Sequence, residues 1–117
     1  MALHKIALQV ANPVKPGRYV TLQVAADPRS PLTALPRALL ESIGIAAGEP
    51  KVFVLAGGRQ VAWPTGVVLA TLDGVTMPIH VAFAEAGAAP VLGAAELEIL
   101  GFAVGPDEKL VPRAARA

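Results

Sequence analysis

The chain has 117 residues, of which 54% are apolar and 16% are charged, and its net charge is +1. This length accommodates one domain with one core, and the high apolar content excludes a disordered chain. With no basic run and few aromatic residues, the sequence lacks the electrostatic footprint of a nucleic-acid-binding protein. The low charged fraction, against about 25% in typical soluble domains, indicates that a partner subunit covers part of the surface.

Cysteine is absent, which excludes disulfides and thiolate metal sites. No second potential metal ligand lies at a suitable spacing from His4, so no metal is expected. No phosphate-cradling loop or dinucleotide fingerprint occurs, so no cofactor is expected either. No apolar run reaches the ~18 residues of a membrane span, so we expect no membrane association. Residues 1–12 alternate instead of forming the apolar core of a signal peptide, which favours a cytoplasmic location.

Glycines and prolines, 11 of each, divide the chain into short pieces, as is typical of all-β proteins. Two hairpins are predicted, with turns at Gly57-Gly58 and at Asp73-Gly74. Alternation and these turns together predict strands at 3–10, 18–25, 51–56, 59–63, 66–72, 75–84 and 109–111.

Two segments instead carry apolar residues at helical spacing. In segment 36–43, Pro36 suits the first turn of a helix and Gly44 suits its end. Segment 94–100 ends in the same way at Gly101. Two short helices are therefore predicted within the β pattern.

The two predicted helices are related by a constant offset of 57 residues, since LESIGI at 40–45 matches LEILGF at 97–102. The same offset relates the alternating apolar residues of 20–24 to those of 77–81. A repeat of strand, loop and short helix predicts a pseudo-twofold axis inside the domain. The alternative is that two amphipathic helices are alike by chance.

Segment 24–36, VAADPRSPLTALP, resembles the active-site stretch of the retropepsin-like aspartic proteases. In that family an apolar strand runs into Asp-Thr-Gly-Ala/Ser, followed by Leu-Pro, a short helix and Leu-Gly. Val91-Leu92-Gly93 is similar to the later family signature, in which two apolar residues and a glycine precede a second helix. Nearly the whole chain, 3–111, can be laid on this pattern.

The resemblance implies an all-β fold: a closed antiparallel β domain with two short helices and a flap hairpin, which forms half of an aspartic-protease dimer. The domain would occupy 1–112, with 113–117 as a C-terminal tail. The flap over the cleft would be 52–64, and its tip would comprise Ala56, Gly57, Gly58 and Arg59. The internal repeat agrees with this fold, which has a pseudo-twofold of its own.

The resemblance also places Asp27 at the catalytic position, with Pro28, Arg29 and Ser30 in the loop that lines the cleft and the dimer axis. Hydrolysis by this mechanism uses two carboxylates that share one proton, one as base toward a water and one as acid toward the scissile carbonyl. A chain with one such aspartate acts as a homodimer, with a carboxylate from each subunit. The implied ligand is an extended peptide or protein.

The loop departs from the family pattern at two positions. Pro28 replaces the threonine and has neither a hydroxyl nor a backbone N–H. Arg29 replaces the glycine, and a guanidinium near the two carboxylates favours their ionised forms over the shared-proton state that catalysis needs. Ser30 keeps the family type. The sequence thus predicts a protease homologue with impaired catalysis.

Two alternatives remain open from the sequence. One is an active aspartic endopeptidase that uses Asp27 from each subunit. The other is an unrelated small β-barrel interaction module, for which the region after Ser30 would not be helical.

Other conspicuous side chains are interpreted as structural. His80 is predicted on a solvated strand face, Trp63 as a packed aromatic, and Glu96 and Glu98 on a solvated helix face. Asp73 is interpreted as the first residue of a hairpin turn.

Overall fold

The protein is built mainly of strands, as the sequence predicts. The computed structural model describes residues 4–55, 57–104 and 110–112. The elements in this part of the chain are β1 (His4–Ala11), β2 (Tyr19–Ala26), β3 (Ala34–Pro36), α1 (Arg37–Ser42), β4 (Pro50–Val54), β5 (Gln60–Leu72), β6 (Val75–Ala84), β7 (Val91–Leu92), α2 (Ala94–Ile99), β8 (Phe102–Val104) and β9 (Leu110–Pro112). The predicted all-β class with two short helices is confirmed.

Strand pairing closes the main sheet on itself. Its order is β1-β2-β7-β3-β6-β5-β4. Because β1 also pairs with β5, all of these strands except β4 form a closed ring. Pairing is antiparallel except between β2 and β7 and between β3 and β6. Strand β4 extends β5 as a hairpin, and β8 pairs with β9 in a separate two-stranded sheet.

The core lies inside this ring and is closed by the two helices. Alternate residues of each long strand point inward, as strand geometry dictates. Full burial of an aliphatic or aromatic side chain contributes about 1.5–3 kcal/mol. The largest fully buried side chains are Phe83, Leu8, Leu35, Leu40, Ile79, Leu92, Leu100, Val10, Val24, Val68 and Val81.

The predicted pseudo-twofold is present in the strand pairing. Helices α1 and α2 differ by 57 residues at both ends. The same offset maps the Ala25–Val91 pair onto the Ala34–Ala82 pair. It also maps the Ala34–Val91 pair onto itself. The local twofold axis therefore passes beside Ala34 and Val91, and chance similarity of two helices does not account for such a match.

One strand prediction is wrong, because 59–63 and 66–72 belong to the single strand β5. Residues up to Pro64 pair with β4, and residues from Thr65 onward pair with β6. Pro64 thus lies where β5 changes its partner from β4 to β6. Proline has no backbone N–H, but at this position its absence does not interrupt a continuous series of hydrogen bonds between two strands.

Smaller differences occur at element ends. Pro36 precedes α1 with φ −59° and ψ 132° instead of forming its first turn. The short strands β3, β7 and β8 are not predicted. The predicted tail 113–117, the flap residue Ala56, and the strand ends Leu3 and Lys109 lie outside the described residues. In the described part, no helix is long and apolar enough to cross a membrane.

Candidate functional site

The Asp27 loop begins where β2 leaves the ring. The backbone N–H of Asp27 donates to the Leu92 carbonyl at 2.9 Å, which anchors the loop to β7. The Asp27 Oδ1 atom accepts from the Arg29 N–H at 2.9 Å, and the Ser30 N–H donates to the Asp27 carbonyl at 3.2 Å. The aspartate thus organises the turn with its own side chain, which is a common role for aspartate.

Ser30 continues the loop with internal hydrogen bonds. Its hydroxyl donates to the Leu32 carbonyl at 2.8 Å and accepts from the Leu32 N–H at 3.3 Å. The Ser30 carbonyl accepts from the Ala94 N–H at 3.1 Å. Ser30 therefore links the loop to the first residue of α2.

Gly93 lies directly behind this loop, with no space for a side chain. A Cβ at this position would lie 2.5 Å from the Leu32 carbonyl oxygen and 2.9 Å from the Ser30 carbonyl oxygen. Both oxygens belong to the backbone, so neither can swing away as a side chain would. Any residue larger than glycine would force the loop and α2 apart.

A buried polar bridge reinforces the same junction. The Thr33 hydroxyl donates to Glu96 Oε1 at 2.6 Å and accepts from the Gly93 N–H at 2.8 Å. The prediction of a solvated Glu96 is wrong, since this residue is 9% exposed. Its carboxylate has a hydroxyl partner, which offsets the loss of water that burial imposes. Glu98, by contrast, is exposed as predicted.

A cleft of about 460 Å³ opens between the Asp27 loop and the β4–β5 hairpin. Asp27 is half-buried at its floor, and Arg29 is exposed. Most of the remaining wall is apolar. The lining residues are Asp27, Arg29, Ser30, Pro31, Leu32, Ala34, Val54, Leu55, Trp63, Ala88, Ala89 and Val91.

Trp63 is a packed aromatic, as predicted, and it also forms part of the cleft wall. Its side chain is buried with Leu32 and Ala34 in an apolar cluster separate from the main core. The Phe53 ring packs against it with a centroid distance of 6.3 Å. This cluster packs the β4–β5 hairpin against the ring of strands and forms part of the cleft wall.

The β4–β5 hairpin corresponds in position to the predicted flap. Gly57 and Gly58 have φ values of +87° and +86°, which only glycine adopts readily. The Leu55 N–H donates to the Arg59 carbonyl at 2.8 Å, which closes the turn. The Arg59 guanidinium also pairs with the Glu85 carboxylate, joining the hairpin tip to the segment after β6.

The structure places three of the nine predicted site residues in the lining of the cleft, and the described flap-tip residues Gly57, Gly58 and Arg59 are not among them. Asp27, Arg29 and Ser30 line the cleft, whereas Pro28 is exposed within the turn. Gly93 supports the loop from behind instead of facing the cleft.

Sequence reasoning missed the Thr33–Glu96 bridge and the Arg59–Glu85 pair. Their partners are 63 and 26 residues apart, and no local pattern connects them.

Other sites are not evident in the described residues. They contain no group of three or more His, Asp or Glu side chains that could hold a metal ion. A second cavity, of about 430 Å³, is lined by the turn between β1 and β2 and by residues after α1, and it contains none of the predicted site residues. His80 is exposed between two buried neighbours on β6, as predicted.

Comparison with known proteins identifies the fold. No family model matches the sequence, and no curated protein matches it. Among solved structures, the chain is similar to EIAV protease complexed with the inhibitor HBY-793, at a TM-score of 0.59 over 86% of this chain and 89% of that one. The fold is retropepsin-like. Sequence identity across the match is 17%, so the likeness concerns the fold alone.

Replacement of Gly93 by alanine tests the close approach behind the loop. The added Cβ must displace backbone carbonyls, so we expect Gly93→Ala to lower the free energy of unfolding by about 1–3 kcal/mol, measured by urea denaturation. Gly17→Ala is the matched control, because nothing lies within 4 Å of a Cβ at that position. Equal stability of the two variants would contradict the close approach.

Proposed function

We propose that this protein is a homodimeric, retropepsin-like peptide-binding protein whose hydrolytic activity is impaired. The observation that carries the proposal is the position of the Asp27-Pro28-Arg29-Ser30 turn, on the floor of a cleft beneath a hairpin with a double-glycine tip. A cleft of about 460 Å³ between this turn and the hairpin offers room for a segment of polypeptide. The cleft presents one aspartate from this chain, so a shared-proton pair needs a second copy.

Dimerisation is supported by the internal symmetry of the chain. The 57-residue offset that relates the two halves maps Asp27 onto Ala84, which has no carboxylate. A pair of carboxylates at the cleft therefore requires a second subunit, joined through an interface that is the same on both copies. Exposed apolar side chains on the hairpin, Val52 at 67% and Val54 at 59%, support association on this side.

The proposed interface comprises the Asp27–Ser30 turn and the hairpin tip, with the terminal strands β1 and β9 joining a shared sheet. In the described chain β1 pairs with β2 and β5, and β9 pairs with β8. The short β9 leaves an edge on which a further strand can add.

Impaired catalysis is supported by the chemistry of two side chains in the turn. Pro28 offers no hydroxyl to hydrogen-bond across a dimer, and each such bond contributes about 0.5–1.5 kcal/mol net. The Arg29 side chain lines the same cleft as Asp27, and it adds bulk and charge at the position where the family pattern has a glycine.

An active aspartic endopeptidase is the second candidate. It is favoured by the half-buried Asp27 on the cleft floor. The Asp27 Oδ1 atom accepts one hydrogen bond, from the Arg29 N–H, which leaves the carboxylate able to contact a water.

Analytical ultracentrifugation tests the dimer. We expect a mass of about twice the 12.0 kDa of one chain at micromolar concentrations. Val54→Asp should weaken the dimer because it places a charge on the hairpin. Val14→Asp is the matched control, since Val14 is 85% exposed in the turn after β1 and outside the proposed interface. A monomer at high micromolar concentration, or equal effects of the two variants, would refute the proposed assembly.

Cleavage of an unfolded protein or a peptide library, between about pH 3 and pH 7 and with and without pepstatin, tests the activity. We expect little or no hydrolysis by the native chain. The double variant Pro28→Thr/Arg29→Gly should raise the rate, because it restores the hydroxyl and removes the charge. Adding Asp27→Asn to that variant should abolish the gain. Robust pepstatin-sensitive cleavage by the native chain would instead establish the endopeptidase.

A further inference from the structure

We propose that the Arg29 guanidinium binds a carboxylate of the ligand, so that the cleft selects peptides carrying an acidic group beside apolar side chains. This inference rests on the proposed peptide-binding function and adds the chemical class of the ligand. Two sources supply such a carboxylate: an aspartate or glutamate side chain, and the C-terminus of a peptide.

The Arg29 guanidinium has no ion-pair partner in the described part of the chain. Ion pairs there join Arg37 to Glu41 and Arg59 to Glu85, and Arg29 takes part in neither. Of the cationic side chains in the described residues, Arg29 alone lines the cleft. A guanidinium presents paired N–H donors that match the two oxygens of a carboxylate.

The backbone of Arg29 is held in place relative to the cleft floor. Its N–H donates to Asp27 Oδ1 at 2.9 Å, within a turn that the Ser30 N–H also closes. The side chain therefore starts from a fixed point at the edge of the cleft. Such positioning reduces the conformational freedom that binding must restrict.

The cleft walls supply the second part of the selection. The cleft that Arg29 lines is also lined by the apolar residues Leu32, Val54, Leu55, Trp63 and Val91. Apolar side chains of a ligand would displace water from these walls, and a charge pair strengthens as the local dielectric constant falls. Ligand binding should thus couple apolar contact to carboxylate recognition.

Asp27 in the same cleft limits which anions are accepted. The negative charge of Asp27 repels a doubly charged phosphate about twice as strongly as it repels a singly charged carboxylate. Recognition of phosphate also uses clusters of cations, and each chain contributes a single cationic side chain, Arg29, to the described cleft lining. The cleft chemistry therefore favours a carboxylate.

Fluorescence anisotropy with three labelled peptides tests this selection. All share one extended apolar sequence: the first is neutral and amidated, the second is amidated with one internal glutamate, and the third has a free C-terminal carboxylate. We expect the preferred acidic peptide to bind the native dimer about 5-fold more tightly than the neutral one, as one screened charge pair provides. The preference for the second or the third peptide identifies the source of the carboxylate.

Three variants assign that preference to Arg29. Arg29→Gln should abolish it, so that the acidic and neutral peptides bind the variant with equal affinity. Arg37→Gln is the matched control, because Arg37 lies on α1 outside the cleft lining. Asp27→Asn should retain or strengthen the preference, since it removes the opposing charge and keeps the oxygen that accepts from the Arg29 N–H.

Three results would overturn the inference. Equal affinities for neutral and acidic peptides would remove the acidic selection and leave the peptide-binding proposal intact. A loss of affinity for all three peptides in Arg29→Gln, together with a weaker dimer, would instead indicate that Arg29 forms an ion pair with Asp27 of the partner subunit. Binding of none of the peptides to the native dimer would contradict both the inference and the proposed function.

Discussion

The close backbone approach at Gly93 is the constraint on which the site depends. Residue 93 has no space for a side chain between the carbonyls of Ser30 and Leu32. The absence of a Cβ lets α2 begin directly against the Asp27 turn, where the Ala94 N–H reaches the Ser30 carbonyl. The turn is hydrogen-bonded to the start of α2 and to β7. The position of the cleft floor is therefore set by the ring of strands and α2, and the turn is not a free surface loop.

The internal repeat explains the barrel, and its departures from symmetry define the site. The offset of 57 residues reproduces the helices and the parallel strand pairs on both sides of the local axis. The same offset relates Thr33 to Pro90 and Glu96 to Leu39, so the buried polar bridge occurs on one side only. A symmetric scaffold thus supports an asymmetric cleft.

Features that repeat or alternate along the chain could be predicted from the sequence. The helix positions followed from the apolar spacing and its repetition at an offset of 57 residues. The hairpins followed from Gly57-Gly58 and Asp73-Gly74. Strands of two or three residues, such as β3 and β7, show no measurable alternation and exist because neighbouring strands pair with them. The continuity of β5 through Pro64 depends on a change of partner that a single sequence does not display.

Side-chain environments were predictable only where the local pattern decides them. Glu96 follows two alanines at the start of a short helix, a position that is normally solvated, and its burial results from Thr33 on a distant loop. Asp27 and Gly93 were found through motif resemblance, whereas their mutual support emerges from the folded chain. The residues that line the cleft come from four separate segments, and no spacing in the sequence brings them together.

If two chains pair through their Asp27 turns, the separation of the two Asp27 carboxylates in a crystal structure of the assembled protein tests this most directly. We expect a twofold dimer in which these carboxylates face each other within about 6 Å, the range over which such charges interact strongly. The two hairpins would then cover one continuous cleft. A dimer with the two Asp27 turns on separate outer surfaces would contradict the shared site.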